Sequence, residues 1–362
     1  MSVVFVGDTT LDPKNFLGKN NTNYIPPYLR DIDPWIGQTA CERCYSQLHG
    51  DDPLNTADDP HFLTVIQLGR LPAKSRSDAR AMIDKIIDYE TAGDINGKWR
   101  GVSVFLADNY VERMTNGKPF TDSAGDFARF SDDIVHLQLE GIEAKRMYYD
   151  PFPSVADPNG VEVWRQPDAV TARRDAIDLL NAGSGLVSYN GHSNHWQWAT
   201  TDLSAPEPRL LNIADVGQLN NKDKYFVSLS MTCYTSQFQK PASAGTTLDE
   251  RIIARPNGGA VATWGSSGLS VAHGHDALQR GFHASLWTAE PMTARIGDLI
   301  DDGYQELFET GGSCCQDARQ TFLLMGDPLM PVRVAAHDPE LPEFPAEAFS
   351  TTPNIYLPIA YK

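Results

Sequence analysis

The residues best suited to covalent chemistry are His192 and Cys233, because each follows a short apolar segment of the kind that predicts a buried strand. Residues 186–189 stop at a turn dipeptide just before His192, and residues 225–231 lead almost directly to Cys233. Functional side chains of parallel α/β sheets lie at such strand ends. The sequence therefore predicts that His192 and Cys233 form a dyad.

A cysteine–histidine dyad would perform nucleophilic chemistry. A thiolate is the attacking species, and a neighbouring imidazole can accept the thiol proton and later protonate a leaving amine. The N–H groups of Gly191 and Cys233 are candidates for binding an oxyanion, and Gly191 lets a substrate approach the backbone closely. The alternative is that Cys233 is an inert buried thiol and His192 an ordinary loop residue.

A metal site is a second interpretation of the same loop. His192 and His195 are three residues apart and could share a metal with Asp202 or Asp223. The helix-borne histidine pair and the recognisable third ligand of common zinc motifs are missing, however. The sequence therefore favours the dyad over the metal site.

The elements that must position these residues alternate between strand and helix patterns. Strands are predicted at residues 3–6, 62–68, 102–107, 147–149, 186–189, 225–231 and 260–264. Helices are predicted at residues 75–90, 127–139, 171–180 and 246–254. His273 and His275 are interpreted as the solvated start of a further helix. This alternation predicts an α/β fold with a mostly parallel sheet and helices on both faces.

The balance of acidic and basic residues limits the classes of binding partner that the sequence favours. The 362 residues contain 30 Lys plus Arg against 47 Asp plus Glu, a formal charge of −17. This balance argues against nucleic acid and anionic membranes, and it suits a cationic substrate, bound Ca²⁺ or simply a soluble acidic surface. An acidic patch in the first long loop offers oxygen ligands for calcium: Asp51, Asp52, Asp58 and Asp59.

Neither a membrane span nor a signal peptide is evident. No stretch approaches the ~20 apolar residues of a spanning helix, and the start, MSVVFVGD, lacks the basic and longer apolar segments of a secretion signal. The chain begins almost inside a strand. We therefore expect that upstream sequence has been removed.

Several short segments together resemble the gingipain-like cysteine peptidases, which are relatives of caspases. They are HGDDP at 49–53, LGRLPAKS at 68–75, DKIIDYE at 84–90, KWRG at 98–101, SYNGHSN at 188–194, SMTC at 230–233 and MGDPLM at 325–330. The resemblance implies a caspase-like fold and a cysteine endopeptidase in which His192 and Cys233 match the catalytic pair. It also implies protein or peptide substrates, no cofactor for catalysis, structural calcium and a secreted or cell-surface location.

Two departures from the family pattern stand out. Ser193 occupies a position where the family usually has a second glycine, and the family's upstream subdomain is missing from this chain. We expect residues 1–336 to form the peptidase domain and residues 337–362, rich in Pro and acidic side chains, to form a linker or tail. The alternative function is a catalytically inactive binding or adhesin domain that has kept the fold.

The resemblance also implies which loops form the pocket for the residue before the cleaved bond (P1). The implied substrate-binding residues are Asp108, Asp126, Trp264, Gly265 and Ser266. A carboxylate from Asp126 on the pocket floor would select Arg over Lys, since a guanidinium can form two parallel hydrogen bonds. Asp126 can equally be the N-cap of the following helix, and Trp264 is interpreted as pocket wall in preference to core.

The four remaining cysteines form two pairs in sequence, Cys41 with Cys44 and Cys314 with Cys315. They suit two disulfides that tie the early loop to the C-terminal region, or a four-cysteine zinc site, or reduced thiols. Vicinal cysteines are awkward as two ligands of one metal, which favours disulfides. Disulfides would agree with a secreted peptidase.

Overall fold

A nine-stranded sheet forms the centre of the protein, in the order β1-β4-β16-β15-β14-β10-β5-β8-β9. The computed structural model describes residues 1–46, 66–91, 97–113, 116–156, 165–199, 205 and 207–335. The strands of this sheet are β1 (Ser2–Val6), β4 (Gln67–Leu71), β5 (Val102–Ala107), β8 (Glu143–Tyr149), β9 (Arg165–Gln166), β10 (Leu186–Asn190), β14 (Phe226–Met231), β15 (Ala260–Ser266) and β16 (Phe322–Met325).

Strand direction divides the sheet into two parallel groups. Strands β15, β14, β10, β5, β8 and β9 run parallel to one another. Strands β1, β4 and β16 are also mutually parallel, and the antiparallel pair β15 and β16 joins the two groups. The carboxyl ends of the first group therefore meet along one edge of the sheet, where functional loops of α/β proteins collect. The predicted α/β class with a mostly parallel sheet is confirmed.

Three smaller sheets, two of two strands and one of three, lie at this carboxyl edge. They are the hairpin β2 (Leu29–Asp33) and β3 (Gly37–Ala40), the hairpin β6 (Val111–Arg113) and β7 (Pro119–Thr121), and the ladder β11 (Ser193–Asn194), β12 (Gln197–Trp198) and β13 (Leu211–Asn212). Strand β6 begins four residues after β5 ends, so its hairpin extends from the same edge as the β10 and β14 loops.

Helices cover both faces of the sheet, as predicted. They are α1 (Arg76–Thr91), α2 (Phe127–Val135), α3 (Pro153–Ala156), α4 (Ala169–Ala182), α5 (Leu248–Ala254), α6 (Ala272–Thr288), α7 (Ile296–Thr310) and α8 (Ala318–Thr321). Alternate residues of β5 show the two faces: Val104 and Leu106 share a core with α4, whereas Phe105 packs with α2. The central strands β5, β10, β14, β15 and β16 are thus buried between helices, which explains the continuous apolar runs in their sequences.

Side-chain hydrogen bonds mark the N-termini of two helices that the sequence predicts. The Ser75 hydroxyl accepts the Asp78 N–H at 3.1 Å at the start of α1. Thr247 and Glu250 form a capping box at the start of α5. Ile87, by contrast, belongs to the predicted apolar face of α1 but is 43% exposed.

The sequence prediction placed only the start of a helix at His273 and His275 in α6 and did not assign α7, although the buried residues Ile296, Leu299, Ile300 and Leu307 of α7 recur with helical spacing. A glycine explains part of this: a Cβ on Gly281 of α6 would lie 2.5 Å from the Asp302 carbonyl oxygen of α7. Close packing of the two helices requires a residue that is otherwise unfavourable in helices. His275, expected to be solvated, is buried within α6.

Several predicted features lie at least partly outside the described residues, among them Asp202 of the possible metal site and the first residues of the strand predicted at 62–68. The acidic patch at Asp51, Asp52, Asp58 and Asp59 lies there, and so does the expected tail at 337–362. In the part of the chain that the structure describes, none of the helices is long and apolar enough to cross a membrane.

Candidate active site

The register of three neighbouring strands brings the predicted dyad to one place. Asn190, the last residue of β10, pairs with Met231 of β14 on one side and with Ala107 of β5 on the other. His192 comes two residues after Asn190, Cys233 comes two residues after Met231, and Asp108 directly follows Ala107. Parallel pairing therefore places His192, Cys233 and Asp108 just after the ends of three neighbouring strands, at the carboxyl edge of the sheet.

Hydrogen bonds lock the two loops together. The Ser193 hydroxyl donates to the Cys233 carbonyl oxygen, and the Thr232 hydroxyl lies 2.6 Å from the Gly191 carbonyl oxygen. Gly191 has φ 157°, and a Cβ there would lie 2.4 Å from Cβ of Asp108. The departure from the family pattern at Ser193 thus has a structural role, because its side chain fixes the segment that carries the thiol.

His192 is oriented by a carboxylate from the β6–β7 hairpin. Nε2 of His192 lies 2.6 Å from Oδ2 of Asp122, and the Phe127 ring packs edge-on against the imidazole at 5.3 Å. Burial by itself lowers the pKa of His192, but the hydrogen bond and charge of Asp122, helped by the charges of Asp108 and Glu112, outweigh it and raise the pKa. The protonated imidazole is therefore favoured relative to a free histidine.

The Cys233 thiol is kept protonated. Its Sγ donates to the Ser270 carbonyl oxygen at 3.6 Å, in the loop after β15. Burial raises the pKa of the thiol to about 11, and the charges of Asp33 and Asp317 add to this effect while the Ser270 hydrogen bond opposes it. In the resting protein Cys233 is thus a thiol, and a base would have to remove its proton for it to act as a nucleophile.

The residue after the thiol adopts an uncommon backbone conformation. Tyr234 has φ 60°, a region sparsely populated by residues other than glycine. Its N–H donates to the Gly268 carbonyl oxygen at 3.0 Å, and its ring stacks on His195 at 4.6 Å. Such conformations persist where surrounding contacts determine them, and they concentrate at functional sites.

The structure adds residues that the sequence prediction did not select. Asp122 lies in a polar loop without a distinctive motif, and its proximity to His192 depends on the β6–β7 hairpin. His275 joins the two segments around the thiol: its Nε2 lies 2.5 Å from the Ser270 hydroxyl, and its ring also hydrogen bonds the Met231 backbone. Burial, with the nearby His192 charge, lowers the pKa of His275 to about 3, so that it stays neutral.

The expectation that Trp264 forms a pocket wall is wrong. Trp264 is fully buried, and its Nε1 donates to the Tyr304 hydroxyl at 3.3 Å among the rings of Phe282 and Phe322. The reason is that β15 continues two residues further than predicted, through Ser266.

Gly265 and Ser266 are likewise buried in β15 and do not line an open pocket as expected. A Cβ on Gly265 would lie 2.5 Å from Oδ2 of Asp249, and the Ser266 hydroxyl donates to the Gly268 carbonyl oxygen at 2.9 Å. The segment beside the thiol is the later stretch, from Gly268 to Ser270. The residues of this region that contact the Cys233 segment therefore follow those expected, because they come after the end of β15.

The two aspartates proposed for substrate binding differ in their surroundings. Asp108 is buried beside the dyad and accepts N–H groups from Asn109 at 2.9 Å and from His192 at 3.3 Å. Asp126 is the N-cap of α2 and also lies 2.8 Å from the guanidinium of Arg165. Its charge is thus already paired, so the helix-cap interpretation describes Asp126 better than a pocket floor.

The histidines do not converge on a metal. His192 contacts Asp122, whereas Nε2 of His195 lies 2.6 Å from Gln237 Oε1 and 2.8 Å from Lys240 Nζ. Burial and the Lys240 charge lower the pKa of His195 to about 4, which keeps it neutral. Within the described ranges, no three His, Cys, Asp or Glu side chains are grouped as metal ligands would be.

Both cysteine pairs form disulfides, but the bonds are local. Cys41 bonds to Cys44, and Cys314 bonds to its neighbour Cys315. The expectation that disulfides tie the early loop to the C-terminal region is therefore wrong, and so is the four-cysteine zinc site. Cys233 alone among the five cysteines is a free thiol.

The fold and the site together define an α/β protein with a strand-end cysteine, histidine and carboxylate at its carboxyl edge. The sequence model of peptidase family C25 matches residues 1–333, and the chain belongs to this family.

Named relatives agree with this assignment. Gingipain R2 of Porphyromonas gingivalis is 22% identical over 299 residues, which are 81% of this chain and 35% of that protein. Lys-gingipain of the same organism is 34% identical over 212 residues, which are 59% of this chain and 10% of that protein. The chain thus spans a minor part of the length of these relatives.

The fold resembles that of a solved gingipain. The crystal structure of the Arg-specific cysteine proteinase gingipain R superposes with a TM-score of 0.65 at 19% identity, covering 93% of this chain and 65% of that one. This match confirms the caspase-like fold predicted from the sequence.

Proposed function

We propose that this protein is a cysteine endopeptidase in which Cys233 is the nucleophile, His192 the general base and acid, and Asp122 the residue that orients the imidazole. One observation carries the proposal: His192 and Cys233 follow the carboxyl ends of two strands that pair residue by residue, and the Asp122 carboxylate lies 2.6 Å from Nε2 of His192. A cysteine, a histidine and an orienting acid are the components that thiol-based acyl transfer needs.

The chemistry follows from the protonation states. Because Asp122 occupies Nε2 of His192, Nδ1 is the nitrogen that would take the thiol proton as sulfur attacks the peptide carbonyl carbon. The C–N bond then breaks, the imidazolium gives its proton to the leaving amine, and water hydrolyses the thioester. The N–H groups of Gly191 and Cys233 are our candidates for the oxyanion hole. No cofactor takes part in these steps.

For specificity we propose cleavage after basic residues, with Arg preferred over Lys. The charges of Asp33 and Asp317 act on the Cys233 thiol and that of Asp108 acts on His192, and the relatives include an Arg-specific proteinase and Lys-gingipain. Burial raises the pKa of Asp317 to about 6, and one of its oxygens has no hydrogen-bond partner. A guanidinium would satisfy such a carboxylate better than an uncharged side chain.

We also propose an extracellular or cell-surface location and a structural role for Ca²⁺. The two disulfides suit an oxidising compartment. The calcium proposal depends on Asp51, Asp52, Asp58 and Asp59, which lie outside the described residues. Ca²⁺ added after EGTA treatment should raise the melting temperature, and an unchanged melting temperature would exclude this role.

The test is peptide cleavage by Cys233→Ala and His192→Ala, each checked for folding by circular dichroism. Because such residues act as a unit, we expect either substitution to lower kcat/KM by several orders of magnitude. Iodoacetamide should label the native protein and spare Cys233→Ala. Residual cleavage within about tenfold of the native rate in either variant would contradict the dyad and favour a binding or adhesin domain.

A further inference from the structure

The tip of the β2–β3 hairpin is fastened to the loop that carries the contact with the thiol. Oδ1 of Asp33 accepts the N–H groups of Trp35 at 2.8 Å and Ile36 at 3.0 Å, and Oδ2 accepts the N–H of Leu269 at 2.5 Å. Asp33 itself is buried. One carboxylate therefore fixes both the hairpin tip and the loop after β15.

That loop touches the nucleophile directly. The carbonyl oxygen of Ser270, the residue after Leu269, accepts a hydrogen bond from the Cys233 thiol. The carbonyl oxygen of Gly268, the residue before Leu269, accepts one from the Tyr234 N–H. The influence of the Asp33 charge on the Cys233 thiol is consistent with this proximity. The hairpin tip is thus connected to the Cys233 sulfur through Asp33 and the loop from Gly268 to Ser270.

The tip presents apolar surface to solvent. Trp35 is 53% exposed and Ile36 is 37% exposed, although their backbone N–H groups are held by a buried carboxylate. Single exposed apolar residues are common on protein surfaces. Trp35 and Ile36 are adjacent, and hydrogen bonds already fix their backbone in the loop region near Cys233. They therefore form a small apolar surface that loses little conformational entropy when it binds a ligand.

We propose that Trp35 and Ile36 form a subsite that binds a large apolar or aromatic side chain of the peptide substrate, two or three residues from the cleaved bond. An extended peptide advances about 3.3 Å per residue, so a side chain two or three residues from the cleaved bond lies roughly 7–10 Å along the chain from that bond. This inference rests on the proposed peptidase function and assigns to the hairpin a part of its specificity.

The experiment compares Trp35→Ala with the native protein on internally quenched peptides. Pairs of peptides carry Phe or Ala at one position at a time, from four residues before to three residues after the cleaved bond. At one of these positions we expect the native preference for Phe to fall about tenfold or more in Trp35→Ala, mainly through KM. Cleavage of a single-residue coumarin amide with the same P1 residue should change less than about twofold.

Matched controls separate the subsite from folding and from the proposed function. Leu139→Ala removes an apolar residue of similar exposure, 43%, near the start of β8 at the opposite edge of the sheet, and should leave the preference intact. If Trp35→Ala does not fold, Trp35→Phe and Ile36→Ser test the same surface, with the preference retained in the first and reduced in the second.

The outcomes are distinguishable. Equal loss on Phe and Ala peptides or an unchanged preference would each overturn the subsite, and so would sedimentation showing a native dimer that Trp35→Ala dissociates without a change in preference. Cleavage that persists in Cys233→Ala would overturn the proposed function itself, whatever Trp35 does.

Discussion

At the scale of single residues, the Asp122–His192 contact influences the protonation of the proposed dyad. Nε2 of His192 lies 2.6 Å from Asp122, and the resulting pKa of His192 is higher than that of a free histidine. Burial raises the pKa of Asp122, but the His192 hydrogen bond and charge and the Ala124 N–H outweigh burial and lower it. Asp122 therefore remains a carboxylate while the imidazole gains and loses its proton.

The predicted consequence is a shifted pH profile in Asp122→Asn. Only neutral His192 can accept the thiol proton, so activity should rise as pH increases through the raised pKa of His192. Removing the negative charge lowers that pKa, and the acidic limb of kcat/KM should therefore move to lower pH. Because the imidazole also loses its orientation, kcat should fall by roughly 10²-fold.

Rate measurements between pH 5 and pH 9 on native protein and Asp122→Asn provide the test. A fall in rate with no displacement of the acidic limb would mean that Asp122 does not set the pKa of His192. Glu143→Gln, at the opposite edge of the sheet, is a matched control, since Glu143 begins the parallel strand β8 far from the dyad.

At the scale of elements, α2 depends on a carboxylate that was first considered for substrate binding. Asp126 accepts the N–H groups of Ala128 and Arg129, and its other oxygen pairs with Arg165, whose side chain is buried. Arg165 also lies 3.6 Å from Asp150, a residue that accepts the Tyr110 N–H in the loop after β5. Helix α2 and the β5 loop are thereby connected through one guanidinium.

We expect Asp126→Ala to destabilise the protein by about 2–4 kcal/mol, because it removes a helix cap and leaves a buried guanidinium with a single close carboxylate. The ratio of cleavage rates after Arg and after a neutral residue should stay unchanged. Denaturant unfolding and paired fluorogenic peptides measure the two effects.

Asp168→Ala is the matched control for this prediction. Asp168 caps α4 through the Thr171 N–H and is exposed, so its removal should cost less stability than that of Asp126. A selective loss of cleavage after Arg in Asp126→Ala, with stability unchanged, would instead assign Asp126 to the substrate pocket.

At the scale of the whole molecule, the local disulfides constrain little of the chain. Cys41 and Cys44 are three positions apart in the sequence, and Cys314 and Cys315 are adjacent. A cross-link stabilises chiefly by restricting the unfolded chain, and its effect grows with the length of the closed loop. The stability of the molecule therefore comes from the packed sheet and its helices.

The double variant Cys41→Ser, Cys44→Ser should accordingly melt only a few degrees below the native protein. A bond from the early loop to the C-terminal region would have closed a loop of well over 100 residues, worth about 5 kcal/mol. Differential scanning calorimetry makes the comparison. A drop of more than about 10 °C would indicate that this pair does more than close its own turn.

Much of the architecture could be predicted from local patterns. Buried strands such as β10 and β14 correspond to short apolar runs in the sequence. The capping residues Ser75 and Thr247 lie directly before the helices that they start. His192 and Cys233 could be selected because a strand end is itself visible in sequence. These features depend on neighbours within a few residues, which the sequence contains explicitly.

The tertiary structure decided the surroundings of the dyad. Asp122 reaches His192 across 70 residues, and Asp33 reaches Leu269 across 236 residues. Trp264 is buried because β15 extends to Ser266, and Asp126 is paired because Arg165 on β9 lies beside α2. No local pattern encodes such contacts, because they arise only when the strand order of the sheet brings distant loops to one edge. The sequence thus determined which residues can react, whereas the assembled sheet determined which side chains orient them.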